Sequence, residues 1–249
     1  MKFVIIYLLL HQKKQRKIFF NRKINTTDTM KTKDWPSKGK AKLLLIGHDP
    51  RLRETDTIAE YALFANYYFA SEPKAPSEKR KFGLAKSTFE HVFYLTMNKI
   101  KPEEIYVTNL CNDALPHAPK GKSVLIPQDI AADGVVRLHE ILKQNASITY
   151  ILPMSLQVNY WLQKLEFYNS HNNFISDTEP KTKGMKNMPP YFEPQKTGTF
   201  KKICGNQYMI DNDKRIVIPI LHTKNFPLRG NFISYEENYE DVKNYFLKA

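Results

Sequence analysis

Cysteine is scarce in this chain of 249 residues: there are two, Cys111 and Cys204. Two thiols cannot build a disulfide scaffold, nor can they fill a four-cysteine zinc or iron–sulfur site. A reducing, cytoplasmic setting is the expectation. Membrane-length apolar runs are missing as well. The run FVIIYLLL at residues 3–10 has eight residues, against the roughly 20 that span a bilayer as a helix. No internal repeat is visible, and no glycine-rich loop follows the first predicted strand, which argues against a doubly wound fold that cradles a phosphate there. Acids are outnumbered, 25 against 38 Lys and Arg, for a net charge of +13. What the chain does have is 42% hydrophobic residues, including 14 Tyr and 15 Phe. That is ample for a sizeable core and excludes disorder as the main state.

The excess positive charge is concentrated. Residues 1–40 hold eleven Lys or Arg and two acids, Asp28 and Asp34, so they carry +9 of the +13. A basic balance favours polyanionic partners, but most of it here lies ahead of the first predicted strand. Residues 1–40 are therefore expected to be a basic extension that the fold does not need, and residues 41–249 the folded domain. The run at 3–10 is open to several readings: an element packed on the domain, sequence upstream of a true start at Met30, or a signal peptide, against which the following His11, Gln12, Lys13 and Lys14 argue.

Along the chain, residues 41–47 (AKLLLIG) read as a buried parallel strand. A helix is expected from a cap at Thr55 and Asp56 through Phe69, because Ile58, Tyr61, Ala62, Ala65, Tyr68 and Phe69 recur at helical spacing. Residues 74–80 read as a polar loop, and 83–100 as a helix buried through Phe89, Val92, Phe93 and Leu95. Strands are expected at 104–110 and 147–153, and helices near 133–144 and at 156–165. Two further strands, 203–210 and 215–222, are joined at a turn through Asp211, Asn212 and Asp213, and a helix over 235–247 closes the chain. The long polar stretch at 166–202 reads as a mobile surface insertion. Alternation of strands and helices predicts an α/β fold, a three-layer sandwich with a largely parallel central sheet.

Ligands of such sheets bind at the carboxyl ends of the strands, and three predicted strand ends carry polar residues: Gly47, His48 and Asp49 before Pro50; Asn109 after Thr108; and His222 after a run of apolar residues. Each has a plain structural use, Asp49 as a cap, Asn109 as a partner for loop backbone, His222 as a hydrogen-bonded core imidazole. Cys111 reads as a small buried hydrophobe. An acid, an amide and an imidazole converging above one sheet form a set with chemical meaning.

That set resembles the uracil-DNA glycosylase superfamily. LLLIGHDPR (43–51) is similar to its first motif, a Gly-x-Asp-Pro turn after a buried strand; YVTNL (106–110) to the strand whose Asn reads the base edge; and LHTKNFPLRGN (221–231) to its late His-containing loop. The resemblance covers roughly residues 41–247 and implies a divergent member. Arg51 stands where one branch has an aromatic residue, and Thr223 and Lys224 stand where Pro and Ser are usual. It implies a hydrolase without metal or cofactor, acting as a monomer on DNA and not at a membrane, that flips out uracil or another damaged base and cleaves the N-glycosidic bond. By the same resemblance Asp49 orients water and offsets charge on the sugar, and His222 stabilises the departing base anion. Asn109 pairs with the base edge, with Gly47 and His48 beside it, and Tyr61 or Phe64 stacks on the base. Phe226 or Leu228 wedges into the duplex, while Arg51, Lys224 and Arg229 meet phosphates. The alternative is a protein of the same fold that binds nucleic acid or a nucleobase without cleaving it.

Overall fold

A computed structural model describes residues 31–48, 59–70, 75–113, 115, 123–171, 173–178, 191–192, 198–210 and 213–248. Asp49, Arg51, the expected cap at Thr55 and Asp56, and the turn residues Asp211 and Asn212 lie outside them.

The framework is a mostly parallel five-stranded sheet. Strand β1 (Leu43–Gly47) has all five residues buried and pairs in parallel on both sides, with β2 (Ile105–Asn109) and with β4 (Tyr150–Pro153). Burial on both faces is why LLLI reads as an unbroken apolar run and not as an alternation. Strand β7 (Ile216–Val217) continues the parallel order beside β4, and β6 (Tyr208–Met209) closes the edge antiparallel to β7. The order is β2-β1-β4-β7-β6. A second, two-stranded sheet joins β3 (Ser123–Val124) to β5 (Tyr191–Phe192).

Six helices accompany the strands among the described residues: α1 (Ala65–Tyr68), α2 (Pro76–Thr96), α3 (Gln128–Gln144), α4 (Leu156–Lys164), α5 (Phe174–Thr178) and α6 (Glu236–Lys248). Helix α2 packs on α1 and α6, whereas α4 packs on α3 and α5. Helix α2 begins earlier than the sequence predicts. Pro76 sits in its first turn, where a missing N–H costs nothing, and the Glu78 carboxylate accepts the Ala75 N–H at 3.3 Å.

Three expectations are corrected. The helix expected through Phe69 is broken: Leu63 and Phe64 have left-handed backbones (φ 51° and 59°), leaving a 3₁₀ turn at Ala62–Phe64 and the four-residue α1. The strand expected from 203 is reduced to Tyr208–Met209, because Ile203 and Cys204 follow a 3₁₀ turn at Thr199–Lys202. The described parts of 166–202 are not a surface insertion. Phe167, Tyr168, Phe174, Thr178, Phe192 and Phe200 are buried in them.

The start of the folded unit also moves, from residue 41 to Lys31. Residues 31–37 run alongside β2. Trp35 and Val107 exchange both main-chain hydrogen bonds (2.8 and 2.9 Å), and the Thr32 N–H reaches the Asn112 carbonyl at 2.9 Å. The Trp35 ring stacks on Phe69 and meets Tyr61 edge-on. The segment thereby covers the outer side of β2, which would otherwise be an open edge.

Candidate functional site

The carboxyl ends of four strands form one row. In register, Gly47 of β1 stands beside Asn109 of β2, and Ile46 stands beside Pro153 of β4. Past the strand ends the row continues by main-chain hydrogen bonds: Leu110 N–H to Gly47 O (2.8 Å), Met154 N–H to Ile46 O (2.9 Å) and Ser155 N–H to Ile220 O (3.0 Å). Gly47, His48, Asn109 and His222 all lie on this row. Strand β7, which leads to His222, is two strands from β1, about 10 Å at the usual interstrand spacing.

Asn109 is the most unusual residue of the row. It is 1% exposed, and neither its Oδ1 nor its Nδ2 has a hydrogen-bond partner. Leaving such a group unsatisfied costs about 1–3 kcal/mol, and buried amides are nearly always bonded. The amide leans over Gly47: a Cβ there would lie 2.4 Å from Asn109 Oδ1 and 2.8 Å from Leu63 Cδ2. With the amide and Leu63 in these positions only glycine fits; any side chain would make them shift. The left-handed Leu63 backbone presses its side chain against Gly47 and sends the chain on through Phe64, also left-handed. Of the two expected stacking residues, Tyr61 is engaged with the Trp35 ring at 4.9 Å. Phe64 is part-exposed and has no ring contact with a described residue. His48 is 8% exposed, and its carbonyl accepts the Cys111 N–H at 3.0 Å. Cys111 is a buried core residue, as expected.

His222 begins the 3₁₀ turn Thr223–Asn225, and its Nδ1 accepts the Lys224 N–H at 3.2 Å. An accepting Nδ1 carries no proton, so the neutral ring bears its proton on Nε2 as a donor. The loop is braced from α2 and α6. The Thr223 hydroxyl bonds that of Thr88 at 3.2 Å, and Phe226 stacks on His91 at 4.6 Å and 8°. Tyr239 accepts the Leu221 N–H at 3.2 Å and shares a 2.7 Å hydrogen bond with His91 Nε2. Burial, with a smaller contribution from the nearby His222, holds the His91 pKa down at about 3, so this imidazole is neutral. Phe226 is thus a brace of the loop. Leu228 packs part-buried against the core, and Lys224 and Arg229 are exposed.

Several residues of the site carry no local sequence signal. Ser155 has φ 81° and a buried hydroxyl without a partner, at the end of β4. Thr88, His91 and Tyr239 look like ordinary helix residues until the fold brings them under the His222 loop. No cluster of three or more His, Cys, Asp or Glu suited to a metal occurs among the described residues, and none of the described helices is long and apolar enough to cross a membrane. No protein-family model and no curated protein matches this chain.

Proposed function

We propose that the chain is a divergent relative of the uracil-DNA glycosylases, a three-layer α/β hydrolase that extrudes uracil or a related damaged base from DNA and cleaves its N-glycosidic bond. The observation that carries this reading is the Asn109 amide: buried at a strand end, held over Gly47, with donor and acceptor both unspent. A pyrimidine edge offers the complementary acceptor and donor side by side, and pairing with it would relieve the desolvation that the empty amide bears. Phe64, without a ring contact to any described residue, supplies the stacking face. The Nε2–H of His222 donates to the base oxygen on which negative charge develops, from a loop already fixed by Thr88 and His91 and therefore needing little reorganisation. Asp49 follows His48 in the chain and takes the role of orienting water against the sugar. Leu228 is the apolar residue available to enter the duplex, with Lys224 and Arg229 facing phosphates. The packing of α2 with α6 and of α3 with α4 supports helix layers on the two faces of the sheet.

The test is a panel of single-stranded DNA oligomers, each with one altered base, incubated with the protein and scored for abasic sites. The wild type releases at least one base. Asp49→Asn and Asn109→Leu each lower that release by about 10²-fold or more, and Asn109→Leu leaves thermal stability unchanged or raised, since it removes an orphaned amide. A wild type inert on every base, yet retaining DNA or nucleobase binding, favours the second reading of a non-catalytic binding protein. Arg51 and the Thr223 and Lys224 replacements are the observations on its side.

A further inference from the structure

At the main chain of Asn109 lies a charged network. Helix α3 approaches the end of β2 so closely that a Cβ on Gly134 would lie 2.2 Å from the Leu110 carbonyl oxygen. Glycine there admits the helix, and one turn on, Arg137 reaches the same strand end. Its Nη2 donates to the main-chain oxygen of Asn109 at 2.5 Å. Its Nη1 donates to Thr108 Oγ1 at 2.6 Å and to both Asp34 oxygens at 2.8 and 3.0 Å. Asp34 also accepts from Thr108 Oγ1 (2.6 Å) and from Asn112 Nδ2 (2.9 Å). The pair is largely sheltered, with side chains 29% and 18% exposed, and together with burial the Asp34 charge pushes the Tyr106 phenol up to about 12. A guanidinium fork that grips a carboxylate, a hydroxyl and a carbonyl at once holds all three in one geometry.

We infer that Asp34 and Arg137 are positioning residues: their ion pair locks the main chain at Asn109 and so aims an amide that has no partner of its own. The inference rests on the reading of Asn109 as the base-pairing group. It makes residues 31–37 a working part of the site, because Asp34 comes from that segment. An amide with no hydrogen bond can be held only through its backbone and by packing. Arg137 holds that backbone at the Asn109 oxygen, joined there by the Thr108 hydroxyl at 3.2 Å, which Arg137 itself grips.

The test is Arg137→Lys, which keeps the charge opposite Asp34 but replaces the fork with a single point donor. Two readouts are taken on the full chain. The first is the side-chain NH₂ signal pair of Asn109 in a ¹H–¹⁵N spectrum, assigned by its disappearance in Asn109→Ala. In Arg137→Lys this pair shifts and broadens, while the hydrogen-bonded amides of Gln157 and Asn159 stay in place. The second is single-turnover base release. Arg137→Lys slows it about tenfold when Asn109 is present and less than about twofold in the Asn109→Ala background, since misaim matters only where there is an amide to aim. Should Arg137→Lys fail to fold, the isosteric Thr108→Val carries the same two readouts. An unmoved Asn109 signal, or equal slowing in both backgrounds, overturns the inference. A wild type that releases no base overturns the functional reading instead, and the amide signal then decides the inference alone.

Discussion

Asn109 ends β2 and His222 follows β7, on opposite sides of β1, and the protein supports them in opposite ways. At Asn109 the side chain is left without partners while the backbone is gripped by an arginine fork. At His222 the ring itself is engaged, Nδ1 to the Lys224 N–H, and the loop behind it rests on neutral contacts: a Thr–Thr hydrogen bond, a stack of Phe226 on His91, and a phenol shared between an imidazole and a backbone amide. The first arrangement fixes a direction and leaves both polar atoms for a ligand. The second fixes the ring itself, through Nδ1. An amide that must offer a donor and an acceptor together cannot be steadied through either, so the steadying falls to charge beneath the main chain. An imidazole has two nitrogens, so it can be steadied through one of them.

The largest expected effect comes from breaking the Asn109 side at its root. A protein lacking residues 1–30 retains its melting transition. One lacking residues 1–40 loses it, because Trp35 leaves Val107, Tyr61 and Phe69 uncovered and Arg137 loses Asp34. Losing one partner of this part-buried pair costs less than losing one of a fully buried pair, about 3–5 kcal/mol, but it adds to the uncovered aromatic and strand surface, against the roughly 5–15 kcal/mol that holds a domain folded. Calorimetry on the two shortened proteins checks this. A normal transition without residues 1–40 would return residues 31–40 to the status of an extension.

That segment shows where sequence reading stops. The strands β1, β2 and β4 were legible because burial on both faces writes itself as continuous apolar residues, and the polar residues ending them stood out for the same reason. The charge of residues 1–40 was legible too, but it hid Thr32 and Trp35 among lysines. Asp34 and Arg137 are 103 positions apart, and no local pattern announces a pair formed only when α3 meets β2. The helix expected through Phe69 failed for a related reason. Its apolar spacing is helical, but Leu63, packed against Gly47, and Phe64 both have left-handed backbones, and tertiary packing outweighs propensity over so short a segment. In 166–202 the buried aromatics are spaced without any period, so the lysines, asparagines and prolines between them dominated the reading.

A smaller perturbation sharpens the comparison without removing either group. Gly47→Ala places a methyl against Asn109 Oδ1 and Leu63 Cδ2, at 2.4 and 2.8 Å before relaxation. Both are ends of side chains, so the fold absorbs the methyl at about 1–3 kcal/mol, but the amide has to turn away. Base release is expected to fall about 10²-fold, the scale of a misplacement near 1 Å, with folding retained. Release rates and thermal melts on the same preparation separate the two. A large loss of stability with an unchanged rate per folded molecule would place Gly47 in packing alone.

The His222 side offers the smallest and most specific effect, through pH. His91 is fully buried and its pKa is lowered from 6.5 to about 3. In the unfolded chain it takes up a proton as pH falls below about 6.5, whereas in the folded protein it stays neutral down to about 3, so the unfolded state binds the extra proton throughout that window. The stability tied to neutral His91 is therefore complete above pH 6.5 and is lost as pH falls, at up to about 1.4 kcal/mol per pH unit. Between pH 7 and pH 5 this amounts to about 2 kcal/mol. His139, also lowered by burial, adds a loss of the same sign, so the contribution of His91 is read as a difference. His91→Phe keeps an aromatic ring against Phe226 but cannot titrate. Urea unfolding at the two pH values should show the variant less stable than wild type at pH 7, since Tyr239 loses its imidazole partner, and losing about 2 kcal/mol less on acidification. Equal losses in the two proteins would mean that His91 is protonated in the fold, and the neutral brace beneath the His222 loop would have to be abandoned.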